Sequence, residues 1–411
     1  MAAPSTAPRG RAVNGAISIR ARRVVLPDGV LDDGVVSIRD GLITGIAAAH
    51  TVSEPTFTFP DATLLPGVID VHVHGSGGWR IGSDGPQEEQ LAGMRRSLAT
   101  SGVTAFLPTI ATAPDDVTLA AVRAVARAMA SRDDANEGPA GAGIIGTHLE
   151  GPYLNPKRKG AMQAELMRPP DIAHFETFWE ASAGTIRYVT LAPALAGAEA
   201  LIPRLRERNV FVSAGHTDAS AGQMREAFGQ GVQGVTHLFN AMRGLHHREP
   251  GVVGAALGVA ETWVELIGDG IHVHPDVMRM VLHLKGPRRV AIVSDTGRYA
   301  GLPPGRYEEA HRTVIVDGLM CAFPDGTLAG SASPMNRNLM LLHDQLGVSW
   351  PDIAWLTATN PATMLGITQR TGSLEVGKHA DIIALDHAGQ IRLTLVRGRI
   401  AYTPDEEVHA A

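Results

Sequence analysis

Six apolar runs of the chain end in side chains able to bind a metal ion or move a proton. They are His72-Val73-His74, His148-Leu149-Glu150, His216, His237, Asp269 with His272, and Asp295. His72 and His74 are two residues apart, so on a strand both face the same side. That suits two nitrogen ligands on one ion, or on one ion of a pair. An isolated His-x-His would be an ordinary pair of strand histidines; its recurrence with other metal-capable groups changes the reading. Glu150 closes a buried run, where a carboxylate is costly unless paired or metal-bound. The small residues Ala214 and Gly215 precede His216 and leave room for close approach. With Glu150, His216 and His237, the pair His72 and His74 makes a nitrogen-and-oxygen set suited to Zn²⁺ or Fe²⁺, as one or two ions. Asp295 ends the run 290–295. A bound metal lowers the pKa of water to about 7, and an adjacent carboxylate can take that proton and return it to a leaving amine.

The elements that must position these groups alternate between strand-like and helix-like segments. Candidate strands are 67–74, 104–110, 143–150, 186–193, 210–216, 234–240, 264–272 and 290–295. Helical segments include 86–100, 115–130, 171–181, 198–208, 219–229 and 275–284. Buried parallel strands read as continuous Val/Ile/Leu runs. Eight strand-then-helix units predict an α/β fold, a (β/α)8 TIM barrel spanning 66–366, with a doubly wound sheet as the other architecture. In such a barrel the catalytic groups occupy the C-terminal strand ends, where these residues fall. Residues 15–65 instead alternate apolar and polar, with turn signals at Pro27-Asp28-Gly29 and Arg39-Asp40-Gly41. Alternation returns at 372–386 and 391–402. Chain ends commonly meet, so 15–65 plus 367–411 are expected to form one small discontinuous β-sandwich domain. The stretch 297–330 reads as irregular, with helix following through 365. Residues 1–14, rich in Ala, Pro and Arg, read as a disordered tail.

Composition bounds the rest. The 411 residues are 44% hydrophobic and 19% charged, enough for a large core, and the net charge of −6 argues against nucleic acid as a partner. A single cysteine, Cys321, excludes an intrachain disulfide and a Cys-based zinc site. The N-terminal stretch lacks a signal-peptide apolar region, and no run reaches the ~18 apolar residues of a membrane span. A cytoplasmic protein with no membrane partner is expected.

Several segments together carry a resemblance: Pro66-Gly67-Val68-Ile69-Asp70-Val71-His72-Val73-His74-Gly75, His148-Leu149-Glu150-Gly151-Pro152, Gly215-His216-Thr217, Thr236-His237-Leu238-Phe239-Asn240-Ala241-Met242, Arg248-Glu249-Pro250-Gly251, Asp269-Gly270-Ile271-His272, Val293-Ser294-Asp295 and Gly326-Thr327-Leu328-Ala329-Gly330-Ser331. In this order, across about 65–380, the chain resembles the N-acetylglucosamine-6-phosphate deacetylases of the amidohydrolase superfamily. The resemblance implies a principal metal on Glu150, His216 and His237, and a second ion on His72 and His74 as in some members. It implies metal-activated water as nucleophile, Asp295 as general base and acid, and His272 as a catalytic partner on the oxyanion. Asn240, Ala241, Arg248 and His272 would bind the amino-sugar phosphate, Arg248 through planar bidentate contacts. Leu328, Ala329 and Gly330 would line the sugar and acetyl region, and family members are commonly homodimers. In the family a His usually follows the Lys-Gly-Ala of the loop after strand three. Here Lys159-Gly160-Ala161 is followed by Met162, whose thioether cannot donate.

Two other readings stand beside this one. The first is an amidohydrolase for a different N-acyl amino sugar or amide. Many such relatives bridge metals with a carboxylated Lys, and no Lys ends the run 186–193. The second is a non-catalytic sugar-phosphate-binding barrel, against which the full ligand set with Asp295 argues.

Overall fold

The computed structural model describes residues 16–51, 55–83, 85–131, 141–309 and 312–404. The expected tail at 1–14 lies outside them. Eight parallel strands run in sequence order around one sheet: Val68–Val73, Val103–Ala111, Gly143–Ile144 with Thr147–Glu150, Ile186–Leu191, Phe211–Ala214, Gly234–Val235, Trp263–Ile267 and Val290–Val293. Helices return the chain between them, among them Gln87–Ala99, Asp115–Ala130, Ile172–Ala181, Ala198–Glu207, Ala221–Gln230 and Pro275–Lys285. Local signals agree with the packing. Ser220 and Gln223 form a reciprocal capping box at the start of Ala221–Gln230, satisfying two otherwise orphaned backbone donors.

The first and last strands form no ladder. Their seam is closed at the rim, where Asp295 N–H donates to His72 O at 2.9 Å and His74 N–H to Thr296 O at 2.9 Å. Deeper, the buried Asp70 carboxylate accepts from the Ser294 N–H and hydroxyl. A side chain thus does the work of the missing backbone rungs. Burial pushes the Asp70 carboxyl up to about 6, although the Ser294 bonds act the other way.

Strands from both chain ends share a second sheet of seven. Phe57–Pro66 pairs in parallel with Ile17–Leu26 and antiparallel with Ile382–Asp386. The edge strand Leu42–Ala48 and the turn before it bond to the segment leading into Ile382–Asp386: Ile43 N–H donates to Lys378 O, and Ala380 N–H to Gly41 O, both at 2.9 Å. One face encloses a core of its own, including Ile19, Val36, Leu64, Ile382 and Leu393. Val25, Leu65, Ile383 and Leu385 join the barrel core instead.

The segment expected to be irregular holds structure. Gly305–Glu309, Arg312–Asp317, Met320–Ala322 and Leu328–Ser331 form a four-stranded antiparallel sheet. It buries a small core of Tyr299, Val314, Val316, Cys321 and Ala332. Its last strand runs beside the end of the eighth barrel strand, where Ser331 N–H donates to Asp295 O at 2.9 Å.

Candidate metal centre

His72 and Glu150 lie at the ends of their strands, whereas His74, His216, His237 and Asp295 sit just beyond strands that stop earlier than their apolar runs suggest. His216, His237 and Asp295 have φ of 45°, 32° and 48°. Such left-handed backbone costs a non-glycine residue about 1–3 kcal/mol and persists only where the surroundings hold it. Here it turns each side chain over the barrel mouth.

Two groups of three converge there, His72 with His74 and Asp295, and Glu150 with His216 and His237; within each group the ligand atoms lie within 4.8 Å of one another. Glu150 joins them. Its Oε1 is 3.1 Å from His216 Nε2 and 3.0 Å from His237 Nε2, and its Oε2 is 3.1 Å from His74 Nε2. Asp295 Oδ1 lies 3.4 Å from His74 Nε2 and 3.5 Å from His72 Nε2.

Hydrogen bonds on the far side of three imidazoles decide what these nitrogens offer. His72 Nδ1 is 2.9 Å from Glu265 Oε2, His74 Nδ1 is 3.0 Å from Thr109 O, and His216 Nδ1 is 2.8 Å from Arg158 O. A carboxylate or carbonyl can only accept, so each Nδ1 carries a hydrogen, and each ring in its neutral, ligating form presents an Nε2 lone pair inward. Lone pairs and carboxylate oxygens packed at 3.0–3.5 Å repel unless positive charge lies among them. The donor set of imidazole nitrogens and carboxylate oxygens fits a divalent cation.

The electrostatics agree. Burial alone would pull the His72 pKa down, but the charges of Asp295, Glu150 and Glu265 outweigh it and hold it well above the usual value. Burial would raise Glu150, yet His72 and the bonds from His216 and His237 hold its carboxyl well below the usual range. Asp295 follows the same balance, with His72 and His74 overriding burial and lowering it. His272 donates from Nδ1 to Asp269 at 2.7 Å. Burial lowers its pKa, but Asp269 and the charge of Asp295 raise it overall.

The expected substrate contacts separate into two sets. The loop carrying Ala161 and Met162 lies on the site: a Cβ on Gly160 would sit 3.2 Å from His216 Cε1 and 3.4 Å from the Ala241 Cβ. Asn240 Nδ2 donates to His237 O and Leu238 O. The strand Leu328–Ser331 passes beside Asp295 at its far end, where Gly330 has φ +78° with a built Cβ only 3.1 Å from Asp295 O. Arg248 is placed differently. It lies on an exposed turn at 246–249 with its guanidinium 2.7 Å from His247. Glu249 accepts from the Ala221 and Gly251 N–H groups.

His148, which also ends a run, takes no part in the ligand set. One layer deeper, it is held by Val71 O at 2.9 Å and Thr190 Oγ1 at 2.8 Å. Sequence reading passed over Asp70, Glu265 and the Arg158 carbonyl. The first two carry the signal that singled out Glu150, a carboxylate inside an apolar strand.

An eight-stranded barrel with a histidine and carboxylate centre at the C-terminal strand ends defines a metal-dependent hydrolase architecture. Residues 63–401 match the amidohydrolase family, and the chain belongs to that family. It is 36% identical over 387 residues to N-acetylglucosamine-6-phosphate deacetylase of Bacillus subtilis (strain 168), covering 93% of this chain and 96% of the relative. It is 37% identical over 384 residues to N-acetylgalactosamine-6-phosphate deacetylase of Escherichia coli O157:H7, covering 93% and 98%. A variant of the Mycobacterium smegmatis N-acetyl-D-glucosamine-6-phosphate deacetylase, solved with N-acetyl-D-glucosamine-6-phosphate, superposes with a TM-score of 0.86 at 29% identity, covering 95% of this chain and all of that one.

Proposed function

We propose that this chain hydrolyses the acetamide of N-acetylglucosamine-6-phosphate, releasing acetate and glucosamine-6-phosphate. The observation that carries the reading is the centre itself, where imidazole lone pairs and both Glu150 oxygens converge beside a buried Asp295. Glu150, His216 and His237 would hold one ion, and His72, His74 and Asp295 a second, with Glu150 between them. A divalent cation such as Zn²⁺ or Fe²⁺ supplies Lewis acidity toward water and the amide carbonyl.

The remaining work belongs to the side chains. Asp295, held in its ionised form by the neighbouring imidazoles, accepts the water proton and delivers it to the departing amine. His272, oriented by Asp269, presents Nε2 to stabilise the developing oxyanion. Ala161, Met162, Asn240, Ala241 and Leu328–Gly330 surround the sugar, and Arg248 supplies the phosphate contact.

A second reading shares the chemistry and changes the sugar: N-acetylgalactosamine-6-phosphate. Met162 in place of the family's usual His, and the 37% identity to a deacetylase of that epimer, favour testing it. A phosphorylated sugar does not diffuse across a bilayer, which supports a cytoplasmic site of action. Among the described residues no helix is long and apolar enough to cross a membrane. The homodimer is carried over from the resemblance, and sedimentation tests it. The pairing of Phe57–Pro66 with Ile382–Asp386 supports reading 15–65 plus 367–411 as one small domain and 66–366 as the catalytic one.

The deciding experiment measures acetate release by metal-reconstituted protein from both phosphorylated epimers and from unphosphorylated N-acetylglucosamine. Turnover of N-acetylglucosamine-6-phosphate above both others is expected. Faster turnover of the galactose epimer selects the second reading. No turnover of any of the three, with metal bound, rejects both.

A further inference from the structure

Glu265 stands in the middle of the seventh barrel strand, Trp263–Ile267, among apolar neighbours and 1% exposed. A carboxylate there is expensive unless its surroundings use it. Its Oε2 is 2.9 Å from His72 Nδ1 and also accepts the His237 N–H at 3.2 Å. One oxygen therefore touches a member of each ligand group. Among the described residues its Oε1 has no hydrogen-bond partner. The other imidazoles differ. His74 and His216 lean on backbone carbonyls, and His237 Nδ1 has no hydrogen-bond partner among the described residues. Among the four ligand imidazoles only His72 is backed by a full negative charge.

We propose that Glu265 is the positioning residue that locks His72 as an inward-facing Nε2 ligand, and so determines whether the His72, His74 and Asp295 group holds an ion. The inference rests on the two-ion reading above. A backbone carbonyl would also accept from Nδ1–H, but a carboxylate does two further things. It raises the basicity of the imidazole, as outer-shell partners of metal-bound histidines do. It also forbids the other tautomer, because an acceptor-only group facing a bare Nδ1 would leave two lone pairs opposed. An amide lacks this second property. Glutamine can rotate, donate from its NH₂ to Nδ1 and release the ring hydrogen to Nε2, where it blocks a metal. The same oxygen holds the His237 N–H, so a change at Glu265 also tests whether the two ion positions are separable.

Glu265→Gln keeps shape and removes charge and tautomer selection. We expect about 10–100-fold weaker binding of one ion per subunit, read by metal titration and elemental analysis. The ion on Glu150, His216 and His237 should stay within threefold of wild type. His72→Asn should lose the same ion, and the double variant should be no weaker than His72→Asn alone. Nitrogen NMR on histidine-labelled, metal-free wild type, followed to a pH at which the His72 ring is neutral, gives an independent readout, with that neutral ring expected to carry its hydrogen on Nδ1. Both ions bound at wild-type affinity in Glu265→Gln, or both weakened equally, would overturn the inference. So would an Nε2–H tautomer in the wild type, even if no variant folds. A wild type that takes up one ion, with His72→Asn unaffected, sinks the two-ion reading. The tautomer measurement then decides the role of Glu265 alone.

Discussion

The floor of the barrel mouth and its rim are built differently. On the floor, Glu150, His216, His237 and His72 are almost fully buried, and three imidazoles are fixed by a bond behind the ring. At the rim, Met162, Asn240 and Ala241 are only half-buried, and Arg248 projects from an exposed turn. The strand ends that supply the floor's ligands are packed into buried apolar cores. The rim consists of connections, which tolerate sequence change and carry specificity. On the function proposed above, the contrast teaches that reaction class and substrate identity are stored separately. Floor changes should alter metal content and kcat, and rim changes should alter KM.

The largest effect should follow metal removal. Exhaustive chelation is expected to abolish acetate release, and Zn²⁺ or Fe²⁺ to restore it. Loss of a ligand held at 100–1,000 times its Kd also removes about 3–4 kcal/mol of stability, visible as a lower Tm. Full activity in protein shown by elemental analysis to be metal-free would break the comparison at its base.

Asp295→Asn comes next. Turnover should fall by about 10²–10⁴-fold, with the ion on Glu150, His216 and His237 retained and KM changed little. Retention of wild-type kcat would remove Asp295 from the proton path. Arg248→Ala acts at the other extreme. Loss of a charge-assisted contact worth about 1.5–3 kcal/mol should raise KM for the phosphorylated sugar roughly 10–100-fold. Metal content and the slow reaction of the unphosphorylated sugar should be unchanged. A variant that lost metal instead would mean that rim and floor are not separable.

The same division explains what could be read from sequence. His72, His74, Glu150, His216, His237 and Asp295 were legible because polar side chains ending apolar runs are rare and costly. The barrel was legible from the runs themselves. Glu265 and Asp70 obey the same rule mid-strand, and their partners, His72 and Ser294, become visible only when strands are side by side. The Arg158 carbonyl behind His216 carries no residue-type signal, since any residue has a carbonyl. The sheet at 305–331 was missed because its strands bury one thin face. Arg312–Asp317 hides only Val314 and Val316 in its alternation, and Asp317-Gly318 and Asp325-Gly326 read as loop. A small β unit shared by both chain ends was anticipated from their alternation, but the link from its edge strand to the segment before Ile382 depends on bonds such as Ile43 to Lys378 that no local pattern encodes.

The smallest predicted effect probes the joint between floor and rim. Asp218 accepts from Arg158 at 2.9 and 2.7 Å and from Arg243 at 2.9 Å, tying the loop after the third strand to the segment after the sixth. Backbone bonds also hold that loop, since Asn155 N–H donates to His216 O at 2.9 Å. The clamp is therefore an addition to a loop already attached at one end. Its members are a fifth to a third exposed, and exposed ion pairs contribute about 0–1 kcal/mol. Asp218→Asn should thus raise KM only a few-fold and speed hydrogen exchange at 156–162, leaving metal content alone because the Arg158 carbonyl needs no side chain. The two guanidinium groups hold the Asp218 carboxyl down to about 2, from its usual 3.8. A lowered folded-state pKa gives stability that is fully present above the unfolded value and lost as pH falls through the folded one. The gap between wild type and variant should therefore be flat from pH 5 to pH 8 and narrow only below about pH 4. A gap that changed across neutral pH would point to an imidazole, and hence to a clamp acting through His216 on the floor.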